Sequence, residues 1–276
     1  MIAYDAKKRK QLWQTSFSGF PDAAAMAEGA PVIVAGFGVG EERVYTTPGL
    51  AMLSSISVEG EAISTGVGGP ISRDPAKATC LSVDEKERWI WIGDDRGTMT
   101  RLNPEDVNGW SRRAMKNDGV TCAAEDASAK LLAVGGKDGT VRFVNPKSAS
   151  VDDKLVFDEH RGQIVALAWD AKKGLAVASS EGELWIWSVS GKKVSTRLPD
   201  QESTVRSLCF GGKGKWLAAG DAQGLVRIYA RKDGRLLATL DVEGEAPIHS
   251  LCLSDKGKTL VAAGDRVTLW DVSGLK

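Results

Sequence analysis

Five segments of this chain repeat one pattern at an almost constant spacing. They are ATCLSVDEKERWIWIGDDRGTMTRLN, VTCAAEDASAKLLAVGGKDGTVRFVN, IVALAWDAKKGLAVASSEGELWIWS, VRSLCFGGKGKWLAAGDAQGLVRIYA and IHSLCLSDKGKTLVAAGDRVTLWD. Each reads as an apolar strand, a polar turn, a small-and-apolar strand, a Gly turn and an alternating strand. The equivalent positions Leu102, Val144, Trp187, Tyr229 and Trp270 lie 42, 43, 42 and 41 residues apart. A period of about 40–45 residues holds four short strands. One such unit cannot bury both its faces, so each needs its neighbours to complete a core.

The strand reading rests on composition at the right positions. VTLWD, LVRIY, ELWIW and TVRFV alternate with period two and are rich in β-branched and aromatic residues. DRG, KDG, SEG and AQG between strands mark tight hairpins. No segment sustains a 3.6-residue period, so an all-β chain almost without helix is expected. Packing four-stranded antiparallel blades around an axis gives a continuous core, and closing the ring removes exposed sheet edges.

The chain resembles the WD40-repeat family. GGKDGTVRFV (135–144) is similar to the family's Gly-Ser-x-Asp-Gly-Thr-Val-Arg-Val-Trp run, and LWD (269–271) to its terminal dipeptide. The resemblance implies a WD40-like β-propeller over residues 1–276 as a single domain. In that family a His before the first strand, a Ser/Thr, a turn Asp and the late Trp form a hydrogen-bonded network. The matching residues are His160, Ser179, Glu181 and Trp187, with Glu in place of Asp. Asp138 holds the turn position of the preceding repeat, where Val144 replaces the Trp; other repeats carry Arg96 or Gln223 there, with no upstream His.

Residues 22–58 read as a sixth repeat, with Tyr45 at the Trp270 position. Tyr45 and Leu102 are 57 residues apart, and the excess falls in VEGEAISTGVGGPISRDPAKA (58–78), expected to be an inter-blade loop, either functional or simply mobile. KQLWQTSF (10–17) reads as an outer strand able to close the ring onto the Trp270 repeat, giving six blades, with seven as the alternative. IAYD (2–5) is then surplus: it packs outside the ring, belongs to a longer protein, or is completed by a partner's strands.

Lys+Arg and Asp+Glu both number 36, so no net field draws the chain to nucleic acid or an anionic membrane. No apolar run approaches the ~18–20 residues of a membrane helix, and MIAYDAKKRKQLW lacks the apolar core of a secretory signal. For a chain starting at Met1, the cytoplasm or nucleus is expected. Lys7, Lys8, Arg9 and Lys10 resemble a short import signal, but they fall where other repeats carry the hairpin tips GKK (191–193) and RKDG (231–234). Arg112 and Arg113 beside Trp110 are too few for a nucleic-acid groove.

Cys80, Cys122, Cys209 and Cys252 lie on the first strands of different repeats. They read as buried packing residues, and no short-spaced ligand set suggests a metal. GFGVGE (36–41) sits between two strands without a following helix, so it is a turn and not a dinucleotide loop. No hydrolase motif is present, and no cofactor or small-molecule substrate is expected. Trp89 with Trp91, and Trp185 with Trp187, alternate on one strand face and read as packing between blades.

His249 and Arg206 stand where neighbouring repeats have Thr79 and Thr121, at the start of a first strand. In a WD40-like blade that point opens toward the top of the channel, so the pair is a candidate partner contact; the plain alternative is two solvated side chains. The expectation is a non-catalytic protein-interaction scaffold, a subunit of a multiprotein assembly. Two alternatives are a reader of modified peptides through the top channel, which would need an aromatic cage or Arg cluster, and a cofactor propeller. For the latter, IAYDAKKRKQLWQT is similar to the Tyr-Asp-x-x-x-Gly-x-x-x-Trp repeat of quinoprotein dehydrogenases, over one hairpin only. Some WD40 proteins dock on cullin ligases through a Trp-Asp-x-Arg ending; here Trp270-Asp271-Val272-Ser273 disfavours it.

Overall fold

Four hairpin turns set the register of the repeat. Gly97, Gly139, Gly182 and Gly224 occupy equivalent turn positions with φ of 88°, 78°, 84° and 86°. That left-handed conformation is steeply disfavoured for a residue carrying a Cβ, which is why the Gly recurs there. The computed structural model describes residues 78–83, 89–102, 109–116, 118–126, 130–170, 174–242, 246–254 and 257–275, together with the strand backbones before them.

Every element in the chain order is a strand. β1 (Ile2–Asp5) and β2 (Lys10–Gln14) form a hairpin. β3 (Pro21–Ala25), β4 (Val32–Phe37), β5 (Glu41–Thr46), β6 (Met52–Glu59) and β7 (Ala62–Thr65) make a five-stranded sheet. Four four-stranded sheets follow. They are β8 (Ala78–Val83), β9 (Ile90–Asp94), β10 (Thr98–Leu102) and β11 (Gly109–Arg113); then β12 (Val120–Glu125), β13 (Leu132–Gly136), β14 (Val141–Val144) and β15 (Val151–Phe157). The next are β16 (Ile164–Trp169), β17 (Gly174–Ser179), β18 (Leu184–Ser188) and β19 (Lys193–Arg197); then β20 (Val205–Gly211), β21 (Trp216–Asp221), β22 (Leu225–Ala230) and β23 (Leu236–Asp241). The last sheet has three strands, β24 (Ser250–Ser254), β25 (Thr259–Ala263) and β26 (Val267–Asp271). All ladders are antiparallel between strands consecutive in sequence, as hairpin connections dictate. No helix among the described residues is long and apolar enough to cross a membrane.

The chain divides into two compact units. In the first, over Thr15–Asp158, the first strands β3, β8 and β12 pack side by side. Trp91, Met99, Met115, Val120, Leu132 and Val144 form the core between two of its sheets. The approach there is close: a Cβ on Gly93 would stand 2.5 Å from Cys80 Sγ and 2.6 Å from Val120 Cγ1. Arg101 is buried with its guanidinium 4.0 Å from the centre of the Trp89 ring and 5.3 Å from that of Trp91, while Trp91 Nε1 donates to Glu125 Oε2 at 2.9 Å. Trp91 packs as the alternation predicts; half-buried Trp89 is instead covered by a cation.

The second unit comprises Ile2–Gln14 and Glu159–Lys276, with β16, β20 and β24 side by side. Burial peaks on the second strand of each sheet and falls toward the last. Every residue of β17 and β21 is buried, whereas β19 and β23 alternate with exposed positions. The second strand is covered on both faces, which is why it is built of Gly, Ala, Leu and Val and reads as continuous rather than alternating. One core gathers Ala176, Ala178, Leu184, Ile186, Leu208 and Leu217; the next gathers Trp216, Ile228, Ile248, Leu251 and Leu260. Full burial of such an aliphatic side chain contributes about 1.5–3 kcal/mol. A buried ion pair ties two sheets of this unit, Arg231 to Asp170 at 2.6 Å, and Asp170 Oδ1 also accepts the Gly174 N–H at 2.8 Å.

One expectation about a connection changes. The segment 58–78 is not loop throughout: β6 runs to Glu59, and β7 pairs back on it with Val58 opposite Ile63. The reason is local, since AIST carries β-branched Ile63 and Thr65. Residues 66–77 lie outside the described residues. Of the expected closing segment 10–17, residues 15–17 also lie outside them, and β2 pairs with β1 while β26 pairs with β25. In the Lys7–Lys10 run, Lys10 opens β2 and 7–9 lie outside the described residues. Of GFGVGE, 36–37 end β4 and Glu41 opens β5, two strands that pair antiparallel, while 38–40 lie outside the described residues.

Candidate functional site

The ladders of five first strands are interrupted at one repeated position, while that of β24 runs without a shift. Pairing skips a residue between Pro21 and Ala23, Ala78 and Cys80, Val120 and Cys122, Ile164 and Ala166, and Val205 and Ser207. Such a bulge leaves its residue out of register and re-aims its side chain. In the first unit Thr79 and Thr121 occupy it, and their hydroxyls turn back to donate to the carbonyls of Gly93 (3.1 Å) and Gly135 (3.0 Å). In the second unit Arg206 occupies it and is exposed. His249, also exposed, immediately precedes β24, held by its N–H on the Ala263 carbonyl at 2.8 Å.

β20 and β24 pack side by side, so Arg206 and His249 start adjacent strands. Neither side chain has an ion-pair partner among the described residues. A guanidinium offers five donors in a fixed fork, and an imidazole offers a donor and an acceptor. This arrangement can grip a carboxylate or a peptide carbonyl.

The predicted network around His160 is assembled with a different acid. Trp187 Nε1 donates to His160 Nε2 at 3.1 Å, both buried, and His160 rests 4.4 Å from the Trp185 ring centre. The carboxylate facing His160 is Glu183, with Oε2 3.5 Å from Nδ1. Glu183 also accepts from Arg161, through the backbone N–H and Nε, each at 2.8 Å. Glu181 is exposed. It sits at the hairpin tip before Gly182, whereas Glu183 follows the turn and shares the inward face with Trp185 and Trp187. Ser179 takes no part, since its hydroxyl is buried without a hydrogen-bond partner. Ser180 Oγ instead accepts the Gln163 N–H at 3.0 Å.

Burial holds the His160 imidazole neutral, lowering its pKa to about 4, with Glu183 opposing the shift and Arg197 adding to it. The indole donor to Nε2 requires that nitrogen unprotonated, which agrees. Burial pushes the Glu183 carboxyl up, but the Arg161 donors and charge, with His160, pull it below its usual value.

Asp138 is exposed and caps its own turn, its Oδ1 accepting from Thr140 N (3.0 Å) and Oγ1 (2.8 Å). Two other turns are capped from two residues earlier, by buried carboxylates. Asp94 accepts from Arg96 N (3.0 Å) and Thr98 N (2.7 Å), and Asp221 from Gln223 N (2.9 Å) and Leu225 N (3.0 Å). Looking only beside the turn Gly misses them; the shared signal is the GD at 93–94 and 220–221.

All four cysteines are free thiols on first strands. Burial pushes the thiols of Cys122 and Cys209 up to about 12, and raises Cys80 and Cys252 as well. Thiols held protonated are poor nucleophiles and ligands. Cys252 corrects the packing expectation: it is exposed, on β24, which among the described residues of its unit packs beside one other first strand, β20. No cluster of metal-ligating side chains occurs among the described residues.

Comparison with known proteins agrees with this architecture. Residues 173–255 match the model of the anaphase-promoting complex subunit 4 WD40 domain, and residues 112–145 that of the WD domain, G-beta repeat. No curated protein matches the sequence. Among 1800 solved chains that match, one from the crystal structure of a mitotic checkpoint complex superimposes with a TM-score of 0.77 at 17% identity, covering 98% of this chain and 80% of its own. At that identity the likeness concerns the fold, and so many similar chains cannot single out a partner.

Proposed function

We propose that this chain, which belongs to the WD40-repeat family, is a non-catalytic scaffold that binds other proteins as a subunit of a multiprotein assembly in the cytoplasm or nucleus. The observation carrying this reading is the pair Arg206 and His249. Where equivalent Thr side chains fold back onto their own sheets, these two polar groups stand exposed on neighbouring strands. The solved chain it resembles comes from a multiprotein complex, which agrees with the role. The test replaces both, as Arg206→Glu with His249→Ala. Truncations of about 2 kcal/mol or more mark a hot spot, so affinity for the main protein recovered by affinity purification should fall ~30-fold. Circular dichroism and the melting curve should stay unchanged. Recovery of the same proteins in the same amounts would defeat the proposal.

The propeller we infer has six blades: the five sheets of four or five strands, and a sixth made of β24–β26 closed by the segment 10–17. β2 and β26 each have an open ladder edge and fall in the same compact unit. An open edge is costly to leave, because it invites pairing with other chains. Deleting residues 1–17 should therefore lower the melting temperature by several degrees or cause aggregation. A melting curve and monomer fraction like those of the intact chain would count against closure.

A further inference from the structure

The first unit holds a second feature, independent of Arg206 and His249. A cleft of ≈390 Å3 opens beside β11 and the start of β15, lined among others by Thr98, Arg112, Arg113, Lys116, Ser150 and Asp153. Its volume is in the range of ligand and side-chain pockets, about 300–1,000 Å3. Both flanking strands are the outermost of their sheets.

The lining is charged out of proportion to the chain. Across 276 residues the cations and carboxylates balance at 36 each, yet here Arg112, Arg113 and Lys116 face the single carboxylate of Asp153. That carboxylate is already shared, 3.6 Å from Lys116 and 3.9 Å from Arg142. Arg142 is a further cation, and its Nε is buried without a hydrogen-bond partner. Among the described residues Arg113 reaches only the Lys116 carbonyl, at a long 3.5 Å. Among them, donors therefore outnumber acceptors. Three of the four cations are exposed, so an arriving carboxylate meets charge that needs little rearrangement. Arginine forks pair with carboxylates in two parallel bonds, which gives direction as well as attraction.

We propose that this cleft is a docking site for an acidic peptide segment of a partner protein, its carboxylates seated on Arg112, Arg113 and Lys116. Nucleic acid suits it less. A strand-binding groove needs a track of cations with aromatic platforms, whereas here the cations crowd one cleft with no aromatic side chain among its described lining residues.

The experiment measures fluorescence anisotropy of the full chain with a labelled Glu-rich peptide, its Gln counterpart and a single-stranded RNA oligomer. The Glu-rich peptide should bind about tenfold or more tighter than the Gln peptide, and weaken as salt rises. Arg112→Glu with Arg113→Glu should abolish that preference with the melting curve retained. Lys116→Gln, at a side chain 68% exposed and so safe for folding, should weaken it severalfold. Asp153→Asn separates binding from structure: releasing Lys116 and Arg142 should tighten the Glu-rich peptide severalfold, where a merely structural Asp153 would not. Equal binding of the Gln peptide, tighter binding of the RNA, or weaker peptide binding by Asp153→Asn would each overturn the proposal.

Discussion

Asp221→Ala is expected to destabilise the protein by about 3–5 kcal/mol, the range for removing one partner of a buried ion pair. Asp221 is 1% exposed. One oxygen accepts the N–H groups of Gln223 and Leu225, and the other pairs with the Arg227 guanidinium at 2.6 Å, a side chain itself only 16% exposed. The substitution would strand two turn amides and a largely buried cation together. At about 2–4 °C per kcal/mol for a chain near this size, the melting temperature should fall by about 10 °C. Asp221→Asn keeps an acceptor for the amides and should lie between. Asp138 is the control. It caps an equivalent turn from an exposed position, water replaces it readily, and Asp138→Ala should cost about 1 kcal/mol or less. Equal losses for the two Ala variants in thermal denaturation would show that burial of the cap is irrelevant.

His160→Ala should cost about 3 kcal/mol or more at neutral pH. It removes the acceptor of the Trp187 indole, a buried bond whose loss is worth about 1–3 kcal/mol, and leaves a void where the ring packed against Trp185. The same residue sets a pH dependence. Burial lowers its folded pKa to about 4, from an ordinary value of 6.5. Between those values the unfolded chain binds the proton and the folded chain does not. Stability is therefore full above pH 6.5 and declines as pH falls toward 4, by at most about 1.4 kcal/mol per pH unit from this group. Glu183 has a depressed carboxyl, so its contribution is present above its ordinary value of 4.5 and disappears only at lower pH. Denaturation across pH 4–7 should show a slope in the parent that His160→Ala flattens while lying lower at pH 7. A variant with the parent's slope would place the responsible proton elsewhere.

The architecture was legible because its information is local and repeated. The spacing of Leu102, Val144, Trp187, Tyr229 and Trp270 carries the sheet order, since each strand pairs with the next through a short hairpin and backbone geometry completes the ladder. Turn glycines mark the same register, because few other residues tolerate their φ. Local alternation also carried the burial of Trp91, Trp185 and Trp187. What tertiary structure decided lies where sequence neighbours diverge in space. Glu181 and Glu183 are two residues apart and both acidic, yet the turn between them sends one to solvent and the other to His160. Asp94, Asp138 and Asp221 all cap turns, but packing against neighbouring sheets makes two of them buried and one exposed. Arg112 and Arg113 look like an isolated basic pair along the chain; only the arrival of Asp153 from β15, with Arg142 beside it, makes their surroundings a cleft. Backbone pairing within a blade is a short-range property that a sequence can state directly. Charge and burial at a site are sums over several blades, and only the packed chain performs that sum.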